Sequence, residues 1–452
     1  MSSLERRART IFDAVIADCD PEAAFERAVS AQSGEWIVNG ERVDLRAASD
    51  VRVLALGKPA LALVRACVRA LERAGVRTEA RRGVAALPAA DVRLAVAAGG
   101  SWLHAEPAGH PVPDAGSFRA GRRLLDLCSS AATAQTLVVA LVGGGGSAMA
   151  EWPVLDGATV DEFAELDRRL VRSDLSIREI NAIRKRVSAI KGGRLAIAAR
   201  PARVWTFIVS DVECGDAASV ASGPTMEDDS TLDEALDAIA RSGLDASETE
   251  PSSRLLKPAN LCEVPRWSSA DRERSRHVVL LDARDVTTSA ARHAARAVDI
   301  VRDLGVVDGP VESVARRHVD ELESLTVANP GATCAVVSAG EATVRVRGSG
   351  SGGRNQHLAL VALLDVRDRR IELSDFAILS AGTDGTDGDS DAAGAVAVPA
   401  LHDAARLRGF DAASSLARFD SASFFSALGA QIVCGPTGTN VRDLRVFLGV
   451  GG

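Results

Sequence analysis

The sequence predicts a two-lobed α/β protein built on a mostly parallel sheet, with its ligand site beyond the strand ends. Three observations predict it. At 452 residues the chain is too long for one ordinary core. Five apolar runs stop abruptly in small, polar loops that lead toward helical patterns, as alternating strands and helices of a layered α/β fold do. Between Glu227 and about Arg276 the pattern lapses into acidic, then Ser/Pro-rich sequence, which reads as a helix plus an irregular connection between lobes.

In chain order, MSSLERRARTIFDAVIADCD carries charges through every turn and reads as an amphipathic helix, not a signal peptide. VRVLAL predicts a strand to about Leu56, followed by Gly57-Lys58 and a helix opened by Pro59. TLVVALV runs into Gly143-Gly144-Gly145-Gly146-Ser147, and VWTFIV ends at Ser210-Asp211. After the connection, HVVLLDARDVTTSAARHAARAVDIV resumes the strand–helix pattern. CAVVSAG then stops at Gly340-Glu341, and FAILSAG at Thr383-Asp384-Gly385. In sheets of this kind ligands sit outside the carboxyl ends of the strands, where all five polar loops fall.

Apolar residues make up 46% and charged residues 25%, the balance of a folded chain. A net charge of −8 argues against a nucleic-acid partner. No stretch approaches the roughly 20 apolar residues of a membrane span. Seven scattered cysteines, none in C-x-x-C spacing, predict reduced thiols, a cytoplasmic location and neither a zinc site nor a disulfide framework. Lysine is scarce: Lys58, Lys185, Lys191 and Lys257 stand against a large excess of arginine. Lysine is a compact point charge that the planar arginine fork does not replace at a tight phosphate site, which marks Lys58 and Lys191.

Four glycines after a buried strand offer consecutive N–H groups to an anion, with a helix N-terminus behind them, so Gly143 to Ser147 are candidate phosphate contacts. The usual P-loop, G-x-x-x-x-G-K-[ST], is absent, as are the H-R-D and D-F-G signatures of protein kinases. In REINAIRKRVSAIKGGR, Arg184, Ser188 and Lys191 fall at i, i+4 and i+7, one face of a continued helix that also carries Asn181. That face is a candidate carboxylate or phosphate holder. GTDGTDGDSD sets Asp384, Asp387, Asp389 and Asp391 close together without the EF-hand pattern; one or two carboxylates plus substrate phosphates, the Mg²⁺ habit, fit better. His110, on a Pro-stiffened loop, is assigned no chemistry.

ATVRVRGSGSGGRNQHLALVALL contains a literal G-x-G-x-x-G at Gly348, Gly350 and Gly353. A dinucleotide fingerprint requires an acidic residue about 20 positions on to hold the ribose, whereas Asp365 and Asp368 arrive inside the same helix. Arg354 at the helix start opposes the macrodipole by about 0.3–1 kcal/mol, a penalty that an anion seated between them would reverse. The stretch therefore predicts an anion clamp, with NAD(P)-dependent hydroxypyruvate reduction as the rival reading.

Taken together, LALGKPA, GHPVPDAGS, GGGGSA, REINAIRK with VSAIKGGRLA, SDV with GD and ASGPT, GEATV with VRGSGSGGRNQ, TDGTDG with DAAGA, and GPTGTNVRDL resemble, in that order, the glycerate 2-kinase family with a C-terminal MOFRL domain. The resemblance implies a larger Rossmann-like N-terminal domain at 1–245 and a smaller α/β domain at 275–452. The MOFRL-like segment would span about 334–448, with the active site in the cleft between the lobes. It implies ATP- and Mg²⁺-dependent phosphorylation of the 2-hydroxyl of D-glycerate, or of another small 2-hydroxy acid, to 2-phosphoglycerate or its analogue. Partners are then small molecules, without nucleic acid or membrane, and a homo-oligomer is compatible. Lys58, Arg354 and Asp384 match the family's proposed active-site positions. Asp211 and Asp384 become candidate Mg²⁺ ligands, and Arg184, Lys191 and Asn355 further anion contacts. The chain departs from the family's usual pattern at Gly143, in the Glu213-Cys214-Gly215-Asp216 loop and at Arg186-Val187.

Overall fold

The computed structural model of the chain describes residues 2–46, 48–244 and 250–451. It divides into two compact units, one from Pro21 to Leu280, the other formed by the residues up to Asp20 together with those from Leu281 onward. The division therefore does not follow the two sequence-predicted domains. The helix α1 (Ser3–Asp18) belongs with the later part of the chain, and the stretch up to Leu280 belongs with the earlier. The predicted boundary at 245 falls on 245–249, outside the described residues.

The 21–280 unit is organised by six strands: β1 (Asp50–Leu56), β2 (Arg81–Leu87), β3 (Leu103–Pro107), β4 (Thr136–Gly143), β5 (Arg203–Val209) and β6 (Ser275–Leu281). Their spatial order is β3-β2-β1-β4-β5-β6, and every pairing from β3 to β5 is parallel. This is the doubly wound order, in which the chain reverses direction across the sheet between β1 and β4. Parallel strands covered on both faces read as continuous apolar runs, and Val53 to Leu56 and Leu137 to Leu141 are buried without alternation. One charge interrupts the run. Arg52 is fully buried and donates to the carbonyls of Leu127, Ser130 and Ala131 and to the Asp50 carboxylate. The helix α2 (Ala60–Arg73) follows β1 after Pro59 and buries Leu63, Val64, Cys67 and Leu71. The helix α3 (Ile177–Val187) opens on a Ser176–Glu179 capping box.

The second unit is built on a mixed sheet rather than a parallel one. Its strands are β7 (Ile300–Val306), β8 (Thr333–Gly340), β9 (Leu373–Gly382), β10 (Gly394–Ala397), β11 (Gln431–Ile432) and β12 (Asp443–Gly451), in the order β7-β8-β12-β9-β10-β11. Only β7 and β8 pair in parallel. The terminal strand β12 enters antiparallel between β8 and β9, so that Gly340 and Gly382 both lie opposite Asp443. A buried apolar run looks the same in either direction, which is why the pattern did not disclose this. The geometric consequence is that β8 and β9 still end at one edge, with the start of β12 between them.

Helices α4 (Ala283–Ala294), α5 (Val311–Ala328) and α6 (Arg354–Asp368) lie against this sheet, as does α1, which buries Leu4, Ala8, Ile11, Phe12 and Val15. Helix α6 is buried nearly all round, from Asn355 through Leu360 to Val366. No helix among the described residues is long and apolar enough to cross a membrane.

Candidate functional site

Each unit brings several of its predicted site residues, though not all, to a strand-end edge. In the 21–280 unit the edge lies at the β1/β4 reversal. Gly57 has φ 105°, a conformation that turns the chain from β1 toward α2, and the Lys58 N–H donates to the Gly144 carbonyl at 2.8 Å. The two loops cross so closely that a Cβ on Gly57 would overlap the Gly143 carbonyl, and one on Gly143 would overlap the Pro59 ring. Gly145 is in the left-handed region at φ 84°; a Cβ there would stand 3.0 Å from the His110 ring and 3.5 Å from the Lys58 side chain. The glycine run is therefore required first by this crossing. The helix behind it is one turn, Gly146–Met149, so the loop backbone rather than a helix dipole faces any ligand.

Beside the crossing lies a cavity of about 210 Å³ whose lining includes His110, Gly145, Ser147, Asn181, Arg184 and Asp211. Its hydroxyl wall is a relay: Ser147 and Ser222 share a hydrogen bond of 2.6 Å, and Ser222 donates to Asn181 Oδ1 at 2.9 Å. Arg184 reaches the lining while its Nε donates to Asp167 at 2.8 Å. The predicted basic face does not persist beyond Arg184. Helix α3 ends at Val187, Ser188 is extended and bridges Pro153, and Gly192 and Gly193 take positive φ. Lys191 is thereby carried off the cavity lining and buried, ion-paired with the buried Glu151. Burial pushes the Glu151 carboxyl above the usual range, against the pull of Lys191.

In the other unit a cavity of about 490 Å³ is lined by Glu341, Gly353, Arg354, His357, Asp384 and Phe419, among others. Arg354 is held by a two-pronged contact, Nε to Asp443 Oδ2 at 2.6 Å and Nη2 to Asp443 Oδ1 at 2.9 Å, while Nη1 meets Glu341 at 2.6 Å. Burial works against its charge, yet Asp443 and Glu341 hold the guanidinium well above its ordinary pKa. Asp384 accepts from the Thr386 N–H and hydroxyl, each at 3.1 Å.

The anion predicted between Arg354 and its helix is a side chain of the protein. Asp387 accepts the N–H groups of Asn355 and Gln356 at 2.9 and 2.8 Å. Asn355 itself is buried, with Ser380 donating to its side chain at 2.6 Å, and does not line the cavity. The glycines of the G-x-G-x-x-G stretch are packed against their own chain: a Cβ on Gly348 or Gly350 would strike Arg418–Asp420, and one on Gly353 the Asp387–Gly388 backbone. Asp389 accepts from Ser351 and Gly352. The aspartates of this loop thus face several partners, and among the described residues no group of three or more acidic, His or Cys side chains forms a metal cage.

Asp443 was missed by sequence reasoning. Its only sequence signal was membership of the GPTGTNVRDL stretch, because its position depends on the register of β12 between two distant strands.

The chain matches the model of a domain of unknown function, DUF4147, over residues 7–257, and that of the MOFRL family over 334–443. It is 35% identical over 360 residues to the D-glycerate 2-kinase of Thermotoga maritima, covering 75% of this chain and 79% of that protein. It is also 34% identical to a putative hydroxypyruvate reductase of Agrobacterium vitis, over 76% of this chain and 79% of the relative. A crystal structure of glycerate kinase from Thermotoga maritima superposes with a TM-score of 0.77 at 28% identity, over 99% of both chains. With the doubly wound sheet, both family models and the Thermotoga maritima relative in agreement, the chain belongs to the glycerate 2-kinase family, the enzymes with a C-terminal MOFRL domain.

Proposed function

We propose that the protein transfers the γ-phosphoryl group of ATP, with Mg²⁺, to the 2-hydroxyl of D-glycerate, giving 2-phosphoglycerate. The observation that carries this reading is the placement of Lys58 over the Gly143–Gly146 crossing, at the reversal point of the 3-2-1-4-5-6 sheet. That is where a sheet of this order binds phosphorylated ligands. Phosphoryl transfer asks a protein mainly for positioning and charge neutralisation. Lys58 and Arg354 supply cations for the transferring phosphoryl group and the substrate carboxylate. Ser147, oriented through Ser222 and Asn181, offers a hydroxyl, and Arg184 a further cation.

The donor set suits Mg²⁺, which keeps several waters and takes one or two carboxylates plus phosphate oxygens rather than a cage of protein ligands. Asp211, on the cavity of the 21–280 unit, and Asp384, on that of the other unit, are each a candidate carboxylate for it. When bound, Mg²⁺ neutralises charge on the nucleotide phosphates; these aspartates are also the candidates to accept the 2-hydroxyl proton. Seven cysteines, none in C-x-x-C spacing, support a reducing, cytoplasmic setting.

The relative named as a putative hydroxypyruvate reductase keeps hydride transfer as the rival. Against it, each glycine of the dinucleotide-like stretch is occupied by contacts with its own chain. One assay separates the readings: ADP release with ATP, Mg²⁺ and D-glycerate, the product's regiochemistry by ³¹P NMR, and a parallel run with NADH and hydroxypyruvate. ATP- and Mg²⁺-dependent formation of 2-phosphoglycerate is expected. A 3-phosphorylated product, preference for another 2-hydroxy acid, or oxidation of NADH without ATP would overturn it.

A further inference from the structure

We infer that Asp443 is a positioning residue for the reaction, holding the Arg354 guanidinium in one orientation at the edge of the 490 Å³ cavity. The inference rests on the proposed function in assigning Arg354 to an anionic substrate group; the Asp443–Arg354 geometry stands independently of it.

Three observations carry it. First, Asp443 takes the Nε and one Nη2 hydrogen of Arg354 in a two-pronged contact, and Glu341 takes one Nη1 hydrogen. Of the five N–H groups of the fork, two remain, one on each terminal nitrogen. Two N–H groups on the adjacent terminal nitrogens of an arginine that lines the cavity match a carboxylate or phosphoryl edge. Second, Asp443 has 1% side-chain exposure and Arg354 37%, so the acid is interior and the base reaches the cavity. An interior carboxylate that serves a partly exposed arginine can set that arginine's angle without touching the ligand.

Third, the backbone is bent to deliver Asp443. The preceding residue, Arg442, is not glycine yet has φ 73°, a left-handed conformation that persists only where surroundings over-determine it. The surroundings do so. Arg442 pairs with Asp308 at 2.8 Å, Asp308 accepts the Glu341 N–H at 2.6 Å, and the Arg442 carbonyl accepts the Thr383 hydroxyl at 2.6 Å. The strained turn thus ties the ends of β8 and β9 to the start of β12. Beyond it, the β12 register sets Asp443 opposite both Gly340 and Gly382. The same two residues that flank the strand ends, Glu341 and Asp443, are the two that grip Arg354.

The test combines kinetics with a measurement on the unaltered protein. Asp443→Asn keeps the side-chain shape but sets an amide N–H₂ against an arginine N–H. Turnover of D-glycerate is expected to fall about 10²-fold, the effect of a misplaced positioning group, with most of the loss in kcat rather than KM. In the Asp443→Asn, Arg354→Lys double variant the losses are expected to be strongly non-additive, because both changes remove one function. Additive losses, or near-normal turnover of Asp443→Asn, would overturn the proposal.

Should Asp443→Asn fail to fold, ¹⁵N NMR of the unaltered protein decides. The Arg354 Nε–H is expected to exchange with solvent at least tenfold more slowly than the exposed arginine Nε–H groups of the same chain. Exchange as fast as theirs overturns the proposal. If the unaltered protein shows no ATP-dependent turnover of glycerate while Arg354 Nε–H is protected, the substrate assignment fails and the positioning geometry stands.

Discussion

Asp387 caps the helix that Arg354 opens, its two carboxylate oxygens accepting the backbone N–H groups of Asn355 and Gln356 at 2.9 and 2.8 Å. The carboxylate also accepts from the Gln356 amide at 3.2 Å. A buried acid at a helix N-terminus satisfies donors that would otherwise be orphaned and complements the dipole. It also relieves the adverse placement of Arg354, the job that the sequence pattern assigned to a bound anion.

Burial nevertheless pushes the Asp387 carboxyl up to about 6, against the hydrogen bonds from Gln356 and Asn355 and with Asp443 adding repulsion. A carboxyl with a raised folded-state pKa binds its proton more tightly folded than unfolded. Its contribution therefore favours folding more as pH falls from about 6 to about 4, the reverse of a salt-bridged acid. Denaturant titrations should show the unaltered protein gaining on Asp387→Asn by about 2–3 kcal/mol over that window. Parallel pH profiles for the two proteins would contradict the shift.

Gly353 tests whether the glycine-rich stretch serves a ligand or the fold. A Cβ at this position would collide with Asp387 and the Asp387–Gly388 backbone, although its own φ of −125° suits any residue. Gly353→Ala should therefore lower stability by about 1–3 kcal/mol, the usual penalty of overpacking, in the absence of any nucleotide. A variant as stable as the parent but weak in nucleotide binding would return the glycine to the ligand.

Glu151 and Lys191 form a buried ion pair, with side-chain exposures of 5% and 2%. Removing one partner strands a charge, so Lys191→Met should cost about 3–5 kcal/mol in denaturant unfolding. The double change Glu151→Gln, Lys191→Met should recover most of that loss, since an uncharged pair of similar volume leaves no uncompensated charge. Equal destabilisation in the single and double variants would show that the pair is not the source of the effect.

What could be read from the sequence follows from which interactions are local. VRVLAL and TLVVALV were legible as strands because strands covered on both faces must be apolar throughout, and Gly57-Lys58 and Gly143–Gly146 were legible as their ends. Sheet direction in the second unit was not, because Val446 to Leu448 would be apolar in either orientation and the pairing partners lie far off in the chain. Arg354 stood out by its conflict with the helix dipole, but the resolution of that conflict came from Asp387 and Asp443, both placed by tertiary register. The face of Arg184, Ser188 and Lys191 failed because the helix stops short of it: α3 ends at Val187, and Ser188 is already extended and bridged to Pro153, a tertiary pairing that the 3.6-residue spacing does not reveal.

Lys58 carries the sharpest prediction about turnover. Its N–H is fixed to the Gly144 carbonyl at 2.8 Å, and its side chain passes within van der Waals reach of where a Gly145 Cβ would stand, opposite the His110 ring. Arginine would bring a planar, wider head into a space bounded by these loops, and would replace a compact point charge by a delocalised one. Lys58→Arg should lower kcat for D-glycerate phosphorylation by about 10²-fold or more, as loss of a charge-stabilising donor does, while thermal unfolding stays within a few degrees of the parent. Gly145→Ala should impair turnover from the other side of the same space, since it adds a methyl 3.0 Å from His110 at a residue with φ 84°. Steady-state kinetics of both variants, with melting curves as the control for folding, check the pair. Retention of normal kcat in Lys58→Arg would remove Lys58 from the phosphoryl-transfer step.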